Sequence, residues 1–403
     1  MTKRRLPRWS ELRPLLQGRP VTLNPTTRRL QAAASLEDLR EQARRRTPRA
    51  VFDYTDGGAN REVSLRRSRE AFDRVEFVPS VLRDVSTIDT STTILGRASA
   101  LPLVLAPTGF TRMMNHEGEP AVARAGARAG VPYTLSTMGT TSVESLALQA
   151  PDTRRWFQLY LWKDREASKG LIRAAAENGY EALVLTVDTP AGGLRLRDVR
   201  NGMTIPPALT ARTVLDGARH PSWWINLLTT EPLEFASLST FAGTVSDLAT
   251  QVFDPSATLD DLRWLRAQWS GPLIVKGLLT AEDALAAVDA GADAVVVSNH
   301  GGRQLDQSPT PLEQLPAIAA AVGDRAEVYM DGGVLSGSDV AAAVALGARA
   351  VLVGRAYLYG LMAGGEAGVD RALEIIRREM ITAMQLIGVA SVAELTGDRV
   401  RLR

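Results

Sequence analysis

His300 is the first residue of this sequence whose type and position together suggest catalysis. It comes directly after the apolar run AVVVS at 294–298 and is followed by a Gly-Gly pair and Arg303. Glycine lets the backbone approach a ligand closely, and a histidine, which titrates near neutral pH, can exchange a proton with a substrate hydroxyl. An isolated histidine is more often structural, but its position at a strand end beside an arginine favours a general base. Asp188, which follows another apolar run, is predicted to orient the ring and stabilise the imidazolium.

Three cations near the ends of apolar runs indicate an anionic ligand. Arg195 and Arg303 can hold a carboxylate through paired, charge-assisted hydrogen bonds, although ion pairs with acids on the rim are the alternative. Lys276 closes the run PLIVK. A cation there is costly to desolvate unless an anion or a polarised carbonyl faces it.

The elements that would bring these residues together are eight short apolar runs, most of them separated by Ala-rich helical stretches. The runs are LPLVLA (101–106), VPYTLS (131–136), WFQLY (156–160), ALVLTV (182–187), PLIVK (272–276), AVVVS (294–298), EVYM (327–330) and AVLVG (350–354). Continuous apolar strands that alternate with helices indicate a parallel sheet buried on both faces. Eight such units predict an α/β protein with a (β/α)8 TIM barrel, and a doubly wound open sheet is the alternative. Because a barrel gathers functional groups at the carboxyl ends of its strands, the polar residues after the runs are expected to share one site.

Two glycine-rich segments predict a phosphate site in such a barrel. They lie at 331–337 and 354–355, after the seventh and eighth runs, and the second ends in Arg355. The loops after strands seven and eight of a barrel frequently form this kind of site. Backbone N–H groups and Arg355 are expected to bind the phosphate.

The whole chain is predicted to form one domain with three parts. They are an extended N-terminal arm (1–35), a helical cap (36–99) and the barrel (100–403). The cap is expected to begin with a helix over 36–58 that has Ser35 as its N-cap. An insertion of about 196–258 interrupts the barrel after the fourth strand, where it would lie on the catalytic face. Its apolar cluster around Trp223 and Trp224 either packs on the barrel or contacts a membrane, an acceptor or another subunit.

Composition excludes several classes of protein. The 403 residues include no cysteine, so disulfide frameworks, thiolate metal sites and cysteine nucleophiles are excluded, and no metal site is predicted. A net charge of +2 gives no general argument for nucleic-acid binding. The sequence contains no apolar stretch of about 18 residues that would predict a spanning helix, and its N-terminus lacks the apolar core of a signal peptide. We therefore expect a cytoplasmic protein, in which the basic residues at 3–5 and 44–46 are either solvated or attracted to an anionic membrane surface.

The segment SNHGGRQLD at 298–306 resembles the signature of the FMN-dependent L-2-hydroxy-acid dehydrogenases and oxidases. The resemblance runs from about residue 36 to the C-terminus and includes FDYTDGGA, LAPTGF, EGE, FQLY, LTVDTP, VKG, DGGV and GRAYLYG. The segments PPALTARTVLDG and YLYGLMAGGEAGV are most similar to the bacterial respiratory L-lactate dehydrogenase branch of this family.

The resemblance implies FMN as cofactor and assigns roles to the residues at the strand ends. The implied catalytic residues are His300, Asp188, Tyr160 and Lys276. The implied substrate-binding residues are Tyr54, Tyr160, Arg195, His300 and Arg303. The implied cofactor-binding residues are Pro107, Thr108, Gly109, Ser136, Gln158, Thr186, Lys276, Asp331, Gly332, Gly333, Val334, Leu335, Gly354 and Arg355.

Three positions depart from patterns seen in the family. Leu335 stands where an arginine is often found, so one phosphate contact is in doubt. Met138 stands where glycolate oxidase has a bulky aromatic residue, which leaves the preferred substrate open. Gly109 replaces an alanine of the oxidases and favours an electron acceptor other than oxygen.

The activity implied by the resemblance is oxidation of an L-2-hydroxy acid, L-lactate to pyruvate above all, with transfer of electrons to a quinone or another carrier. The alternatives are an oxidase that forms hydrogen peroxide and an inactive barrel that only binds an anion. A homotetramer is implied, together with peripheral contact with the inner face of the cell membrane as a further possibility.

Overall fold

Eight parallel strands close into a barrel in the computed structural model, which describes residues 5–13, 22–203, 216–233, 235–236 and 254–403. The barrel strands are β1 (Leu103–Leu105), β2 (Tyr133–Ser136), β3 (Arg155–Leu159), β4 (Ala182–Thr186), β5 (Leu273–Leu278), β6 (Ala294–Val297), β7 (Glu327–Asp331) and β8 (Ala350–Val353). Each strand pairs with its neighbours in the chain, and β8 pairs with β1 to close the ring. The (β/α)8 prediction is therefore confirmed, and closure excludes the open-sheet alternative.

The barrel interior is a packed apolar core, as continuous apolar strands require. Trp156 and Tyr329 are fully buried there, with ring centroids 6.1 Å apart. Ile94 joins this core from a hairpin of Thr92–Ile94 and Arg97–Ser99, outside the barrel strands. The helices cover the outer faces of the same strands and form the second, larger core. Polar side chains therefore emerge mainly at the strand ends.

Helices follow most of the barrel strands. Their bounds are Thr111–Met114, Gly118–Ala129, Val143–Gln149, Arg165–Glu177, Leu196–Arg200, Pro221–Leu228, Leu259–Gln268, Ala281–Asp289, Pro311–Val322, Gly337–Ala345 and Arg355–Ile387. A short 3-10 turn, His300–Gly302, directly follows β6. The last helix is broken at Gly364 and Gly365, where the backbone is not helical. It begins eleven residues before the helix expected near 366–386, because the β8 loop passes straight into it.

The N-terminal region differs from the prediction in two respects. Residues Pro25–Ala32 are helical rather than extended, because Asn24 caps two backbone amides and Pro25 occupies the first turn. A four-residue helix, Trp9–Leu12, also lies in the predicted arm. The described residues of the arm (5–13 and 22–35) are therefore partly helical, and the rest of the arm lies outside the described residues.

The predicted helix over 36–58 is two helices. Ser35 caps the first, Leu36–Arg46, as expected, and accepts a hydrogen bond from the Asp38 amide. Pro48 breaks the helix, because proline disfavours helical geometry at the residue before it, and Arg49–Asp56 follows. The cap then continues with the helix Val63–Asp73 and becomes β-structured: Val75–Phe77 pairs with Val400–Leu402 at the C-terminus.

The predicted insertion (196–258) is described at 196–203, 216–233, 235–236 and 254–258; the remainder of the segment lies outside the described residues. Its apolar cluster packs partly on the barrel and is partly exposed, and the predicted contact with a membrane, an acceptor or another subunit stays a prediction. Trp223 is half-buried and donates from Nε1 to the Met113 carbonyl, 2.9 Å away. Trp224, Ile225 and Leu228 are 37%, 46% and 72% exposed.

Candidate active site

The strand-end residues surround one cavity of about 640 Å³ at the carboxyl end of the barrel. Its lining includes nearly all residues that the sequence assigned to a site: Tyr54, Pro107, Thr108, Gly109, Ser136, Gln158, Tyr160, Thr186, Arg195, Lys276, His300, Arg303, Asp331, Gly332, Gly333, Val334, Leu335, Gly354 and Arg355. Asp188 lies behind this wall, against His300. A volume of this size suits a cofactor or a small ligand.

His300 and Asp188 form a hydrogen-bonded pair between the loops after β6 and β4. Nδ1 of His300 lies 3.0 Å from Oδ1 of Asp188. His300 has a φ of 57°, and the Ser298 hydroxyl accepts its backbone N–H at 3.0 Å. Such a left-handed conformation is unfavourable for histidine and persists where the surroundings enforce it. Because Nδ1 faces Asp188, Nε2 is the ring nitrogen left to act on a ligand.

The Asp188 carboxylate is largely buried yet remains ionised. Burial by itself raises a carboxyl pKa, but the charge of His300, its hydrogen bond and the charge of Lys276 outweigh burial, so the pKa of Asp188 lies below its ordinary value. This carboxylate can therefore stabilise a positive charge on His300.

Lys276 points from β5 into the base of the site and is 3% exposed. Its Nζ lies 2.9 Å from Oδ2 of Asp331 and donates to the Ser298 hydroxyl at 3.0 Å. Burial disfavours the cation, but the carboxylates of Asp331 and Asp188 outweigh that effect and raise the pKa of Lys276. The sequence signalled a buried cation that needs an anion, and Asp331 is that partner.

Two arginines flank the ring of Tyr54. The guanidinium carbons of Arg195 and Arg303 lie 5.4 and 5.0 Å from the ring centroid. Arg303 donates to the carbonyl oxygens of Tyr54 (2.5 Å) and Gly57 (3.2 Å), and Arg195 to the carboxylate of Asp198 (2.6 Å). Both guanidiniums line the cavity, so together with Tyr54 they can bind a carboxylate.

The two arginines differ in their electrostatic surroundings. Burial, together with the nearby charge of Arg195, lowers the pKa of Arg303 to about 10. Burial opposes the charge of Arg195 as well, but the Tyr54 hydroxyl and Asp198 outweigh it and raise its pKa. An anion between the two guanidiniums would relieve the unfavourable charge on Arg303.

Tyr160 completes this side of the cavity. Its backbone N–H donates to the Thr137 hydroxyl at 3.2 Å. Burial first, and then the charges of Asp188 and Tyr54, raise the pKa of Tyr160, so its phenol stays protonated at neutral pH and can donate a hydrogen bond.

The opposite wall contains buried polar atoms whose hydrogen-bonding capacity is unmet. Gln158 accepts from the Ser136 hydroxyl at 2.9 Å, but its Nε2 has no partner among the described residues. The same holds, within the described ranges, for Oγ1 of Thr186 and Oδ1 of Asp331. Buried polar groups are rarely left unpaired, so these atoms indicate a ligand with a polar edge.

At the glycine-rich end of the cavity, more of the hydrogen-bond donors are already bonded to protein groups than the sequence suggested. Arg355 donates to the carbonyl oxygens of Thr55, Gly301 and Gly57 at 2.7–2.9 Å, which leaves two of the five guanidinium N–H groups for an anion. The Leu335 amide donates to Asp339 and so is already engaged. Gly332 and Gly333 have φ values of 94° and 82°, which glycine adopts without strain.

Sequence reasoning missed several residues of the site. Arg69 lines the cavity and donates to the Gly333 carbonyl at 2.7 Å, but it lies in a charged helix that carries no distinguishing pattern. Met203 and Phe235 come from the predicted insertion, and Phe235 packs edge-to-face on Phe110 with centroids 4.3 Å apart. The only available signal was the size of the insertion on the catalytic face.

Residues 43–402 match the family described as FMN-dependent dehydrogenase. The chain belongs to this family. A Mycobacterium tuberculosis (strain ATCC 25618 / H37Rv) protein provisionally named an L-lactate dehydrogenase is 54% identical and covers 98% of this chain and 95% of that protein. An L-lactate dehydrogenase of Caulobacter vibrioides (strain NA1000 / CB15N) is 47% identical over 90% of this chain and 96% of its own.

Two solved structures support the same assignment of this FMN-dependent dehydrogenase. The monotopic membrane protein (S)-mandelate dehydrogenase has a TM-score of 0.88 and 38% identity, covering 93% of this chain and 100% of its own. A mandelate oxidase has a TM-score of 0.80 and 42% identity, covering 92% and 99%. The protein is therefore an FMN-dependent oxidoreductase, as the sequence predicted.

The residues of the cavity fit FMN. Gln158, Thr186 and Asp331 offer a donor, a hydroxyl and an acceptor to the polar edge and side chain of the flavin. Lys276 is a buried cation that could stabilise a reduced, anionic flavin. Arg355 lines the same cavity as Gly332 and Gly333, and its two remaining N–H groups could bind a phosphate.

Within the described ranges, no helix is long and apolar enough to cross a membrane.

Proposed function

We propose that this dehydrogenase oxidises L-lactate to pyruvate, with His300 as the general base. The observation that carries the proposal is the convergence of the His300–Asp188 pair with Arg195, Arg303 and Tyr54 around one cavity. A base beside a carboxylate clamp suits a substrate whose hydroxyl and carboxylate are on neighbouring carbons. Relatives that are named L-lactate dehydrogenase support lactate, rather than a larger acid, as the substrate.

In the proposed mechanism, Arg195, Arg303 and Tyr54 bind the substrate carboxylate and fix its orientation. The hydroxyl lies against Tyr160 and His300, and Nε2 of His300 takes one proton while Asp188 stabilises the imidazolium. FMN, when bound, would supply the acceptor for the two electrons and the second hydrogen that the substrate loses as the C–OH carbon becomes a carbonyl. Lys276 stabilises the negative charge that accompanies reduction.

We assign the cofactor contacts by position. Pro107, Thr108 and Gly109 would contact the flavin ring from β1, and Gly354 and Arg355 the phosphate. The Tyr357 hydroxyl holds Thr108 at 2.7 Å, which rigidifies this wall. Asp331, Gly332, Gly333, Val334 and Leu335 would surround the ribityl chain and phosphate.

The proposed electron acceptor is a quinone or another carrier rather than oxygen. Gly109 supports this choice by its resemblance to dehydrogenase members. A Cβ at Gly109 would lie 2.9 Å from Cβ of Met138, so the space at this position is tightly restricted. A peroxide-forming oxidase is the second candidate, since mandelate oxidases share the fold.

We also propose that the protein is cytoplasmic, forms a homotetramer and contacts the membrane surface peripherally. The exposed side chains of Trp224, Ile225 and Leu228 support membrane contact. Ser222 belongs to the same helix as these three residues, and its hydroxyl lies 3.4 Å from a guanidinium nitrogen of Arg46, which places a cation near the apolar side chains. The monotopic mandelate dehydrogenase is a related precedent. Vesicle flotation of the wild type and a Trp224→Ser/Leu228→Ser variant tests the contact, and light scattering tests the tetramer.

The first experiment is anaerobic mixing of the purified holoprotein with excess L-lactate while the flavin absorbance is recorded. Rapid bleaching, followed by slow recolouring in air and fast recolouring with a quinone analogue, is the expected result. A yellow protein that L-lactate does not bleach would reject lactate, and a panel of larger 2-hydroxy acids would identify the substrate. Fast recolouring in air would favour the oxidase. A protein that cannot be loaded with FMN would overturn the proposal.

A further inference from the structure

Arg197 lies two residues beyond Arg195, outside the cavity wall, and forms ion pairs with three acids. Its guanidinium nitrogens lie 2.9 Å from Oδ2 of Asp56, 2.6 Å from Oε2 of Glu62 and 3.6 Å from Oδ1 of Asp53. Burial lowers the pKa of Arg197, but Glu62 and Asp56 outweigh burial and raise it.

The ion pairs join two separate segments that each carry part of the carboxylate clamp. Arg197 belongs to the helix Leu196–Arg200, whose N-cap is Arg195. Asp53 and Asp56 belong to the helix Arg49–Asp56, which carries Tyr54. The two helices are far apart in sequence, so the distance between them in the fold depends on long-range contacts such as these ion pairs.

The turn over 57–62, next to these ion pairs, also contacts residues of the cavity wall. The Gly57 carbonyl accepts from Arg303 and Arg355, and the Asn60 amide donates to the Leu194 carbonyl at 2.7 Å. Glu62, which ends the turn, has a φ of 60°. A non-glycine residue holds this conformation only where its surroundings enforce it, and the ion pair with Arg197 is one such contact.

The balance of charges in the ion-pair cluster around Arg197 is a further observation. Three arginines, Arg40, Arg49 and Arg197, pair with Asp53, Asp56 and Glu62, and Arg40 is shared with the exposed Glu37. Removal of Arg197 therefore leaves these acids with one fewer compensating charge behind Tyr54. The uncompensated negative charge would oppose a substrate carboxylate and would also push the two segments apart.

We infer that Arg197 is a positioning residue for substrate binding, which fastens the Arg195 segment to the Tyr54 helix and so sets the width of the carboxylate clamp. The inference rests on the proposed function, because it presumes a carboxylate substrate. Among the described residues, the acids that pair with Arg197 are Asp53, Asp56 and Glu62 and include no member of the His300–Asp188 pair, so the proton-transfer machinery is expected to be independent of it.

The test compares FMN-loaded Arg197→Gln, Arg197→Lys and a control, Arg165→Gln. Arg165 also bridges two acids, Asp254 and Asp261, at 2.9 and 2.8 Å, and its side chain is 25% exposed against 32% for Arg197. None of its contacts lines the cavity. Two measurements are made: the Kd of oxalate from the flavin absorbance, and the rate of flavin reduction over a range of L-lactate concentrations.

For Arg197→Gln we expect the oxalate Kd and the half-saturating lactate concentration to rise about 10- to 100-fold, the range typical of misplaced binding groups. The maximal reduction rate should stay close to that of the wild type, because the interaction lost is uniform binding. Arg197→Lys should be intermediate, since one ammonium cannot satisfy three acids, and Arg165→Gln should bind oxalate normally.

An oxalate Kd equal in Arg197→Gln and Arg165→Gln would overturn the inference, as would a slow maximal rate with unchanged Kd. If Arg197→Gln yields no holoprotein, Arg197→Lys is judged by the same two measurements. Failure of the proposed function is distinct: the wild type itself would then bind no oxalate and would not be reduced.

Discussion

Nδ1 of His300 lies 3.0 Å from Oδ1 of Asp188, and the two residues belong to loops separated by more than a hundred residues. The contact selects the ring tautomer with its proton on Nδ1, because an ionised carboxylate can only accept. It therefore leaves Nε2 as a base in the cavity. Asp188 keeps its charge across the neutral range, since its pKa lies below the ordinary value of 3.8.

Loss of either member of the pair should remove most turnover but not FMN. His300→Ala and Asp188→Asn should each lower kcat by about 10²- to 10⁴-fold, the usual contribution of a general base. Asparagine keeps the shape of Asp188 but cannot stabilise an imidazolium. Stopped-flow reduction of the flavin measures the effect, with the visible spectrum as control for cofactor content. A His300→Ala variant with near-normal turnover would remove His300 from the mechanism.

Replacement of Lys276 should weaken both the fold and FMN binding. Lys276→Met leaves the buried Asp331 carboxylate without its partner, which typically destabilises a protein by about 3–5 kcal/mol. Lys169→Met is the matched control, because its ion pair with Glu166 is on the surface and such pairs contribute about 0–1 kcal/mol. Denaturant unfolding of the two apoproteins compares the effects, and equal losses would contradict a special role for the buried pair.

The pH dependence of the same pair has a definite sign. Because the folded-state pKa of Lys276 is raised above its ordinary 10.5, the contribution of this charge is fully present below about that pH. It is lost only as the pH rises through the higher folded-state value. The wild-type stability advantage over Lys276→Met should therefore be constant from neutral pH to pH 9, which unfolding curves at several pH values would check.

A carboxylate ligand should stabilise the holoprotein. The pKa of Arg303, lowered to about 10 by burial and by Arg195, means that this group stays charged at neutral pH but that its charge costs more in the folded protein than in water. A dianion such as oxalate relieves that cost, and ligand present at about 100 times its Kd stabilises a fold by about 2.7 kcal/mol. Thermal unfolding should show a rise in Tm that Arg195→Met reduces. An oxalate-independent Tm would argue against an anion site between the arginines.

The packing of the β4 loop on the β6 loop should tolerate no side chain at Gly193. A Cβ there would lie 2.1 Å from the Arg303 carbonyl oxygen, whereas the space around Gly170 is open. Gly193→Ala should therefore displace Arg303 and destabilise the protein by about 1–3 kcal/mol. Gly170→Ala, in the helix Arg165–Glu177, should be neutral or stabilising by up to about 1 kcal/mol. Lactate kinetics and unfolding of both variants check this, and equal behaviour would refute it.

Much of the fold was predictable, because periodicity is a local property. Eight apolar runs separated by helical stretches were enough for the barrel, and the position of His300 after β6 indicated the catalytic end. The strand bounds agreed within a few residues. Local signals were also present where the prediction was wrong: Asn24–Pro25 marks a helix start and Pro48 a helix break.

The pairing of distant side chains was beyond the reach of those patterns. Nothing near Lys276 in sequence identifies Asp331 as its partner, and nothing near Arg355 indicates that three backbone carbonyls would occupy its guanidinium. Barrel closure and strand register decide such contacts, since they bring together residues that are independent along the chain. Residue types and their spacing thus limited the chemistry to a base, a carboxylate clamp and a phosphate site. Which groups remain available for a ligand was decided only when long-range packing satisfied the others.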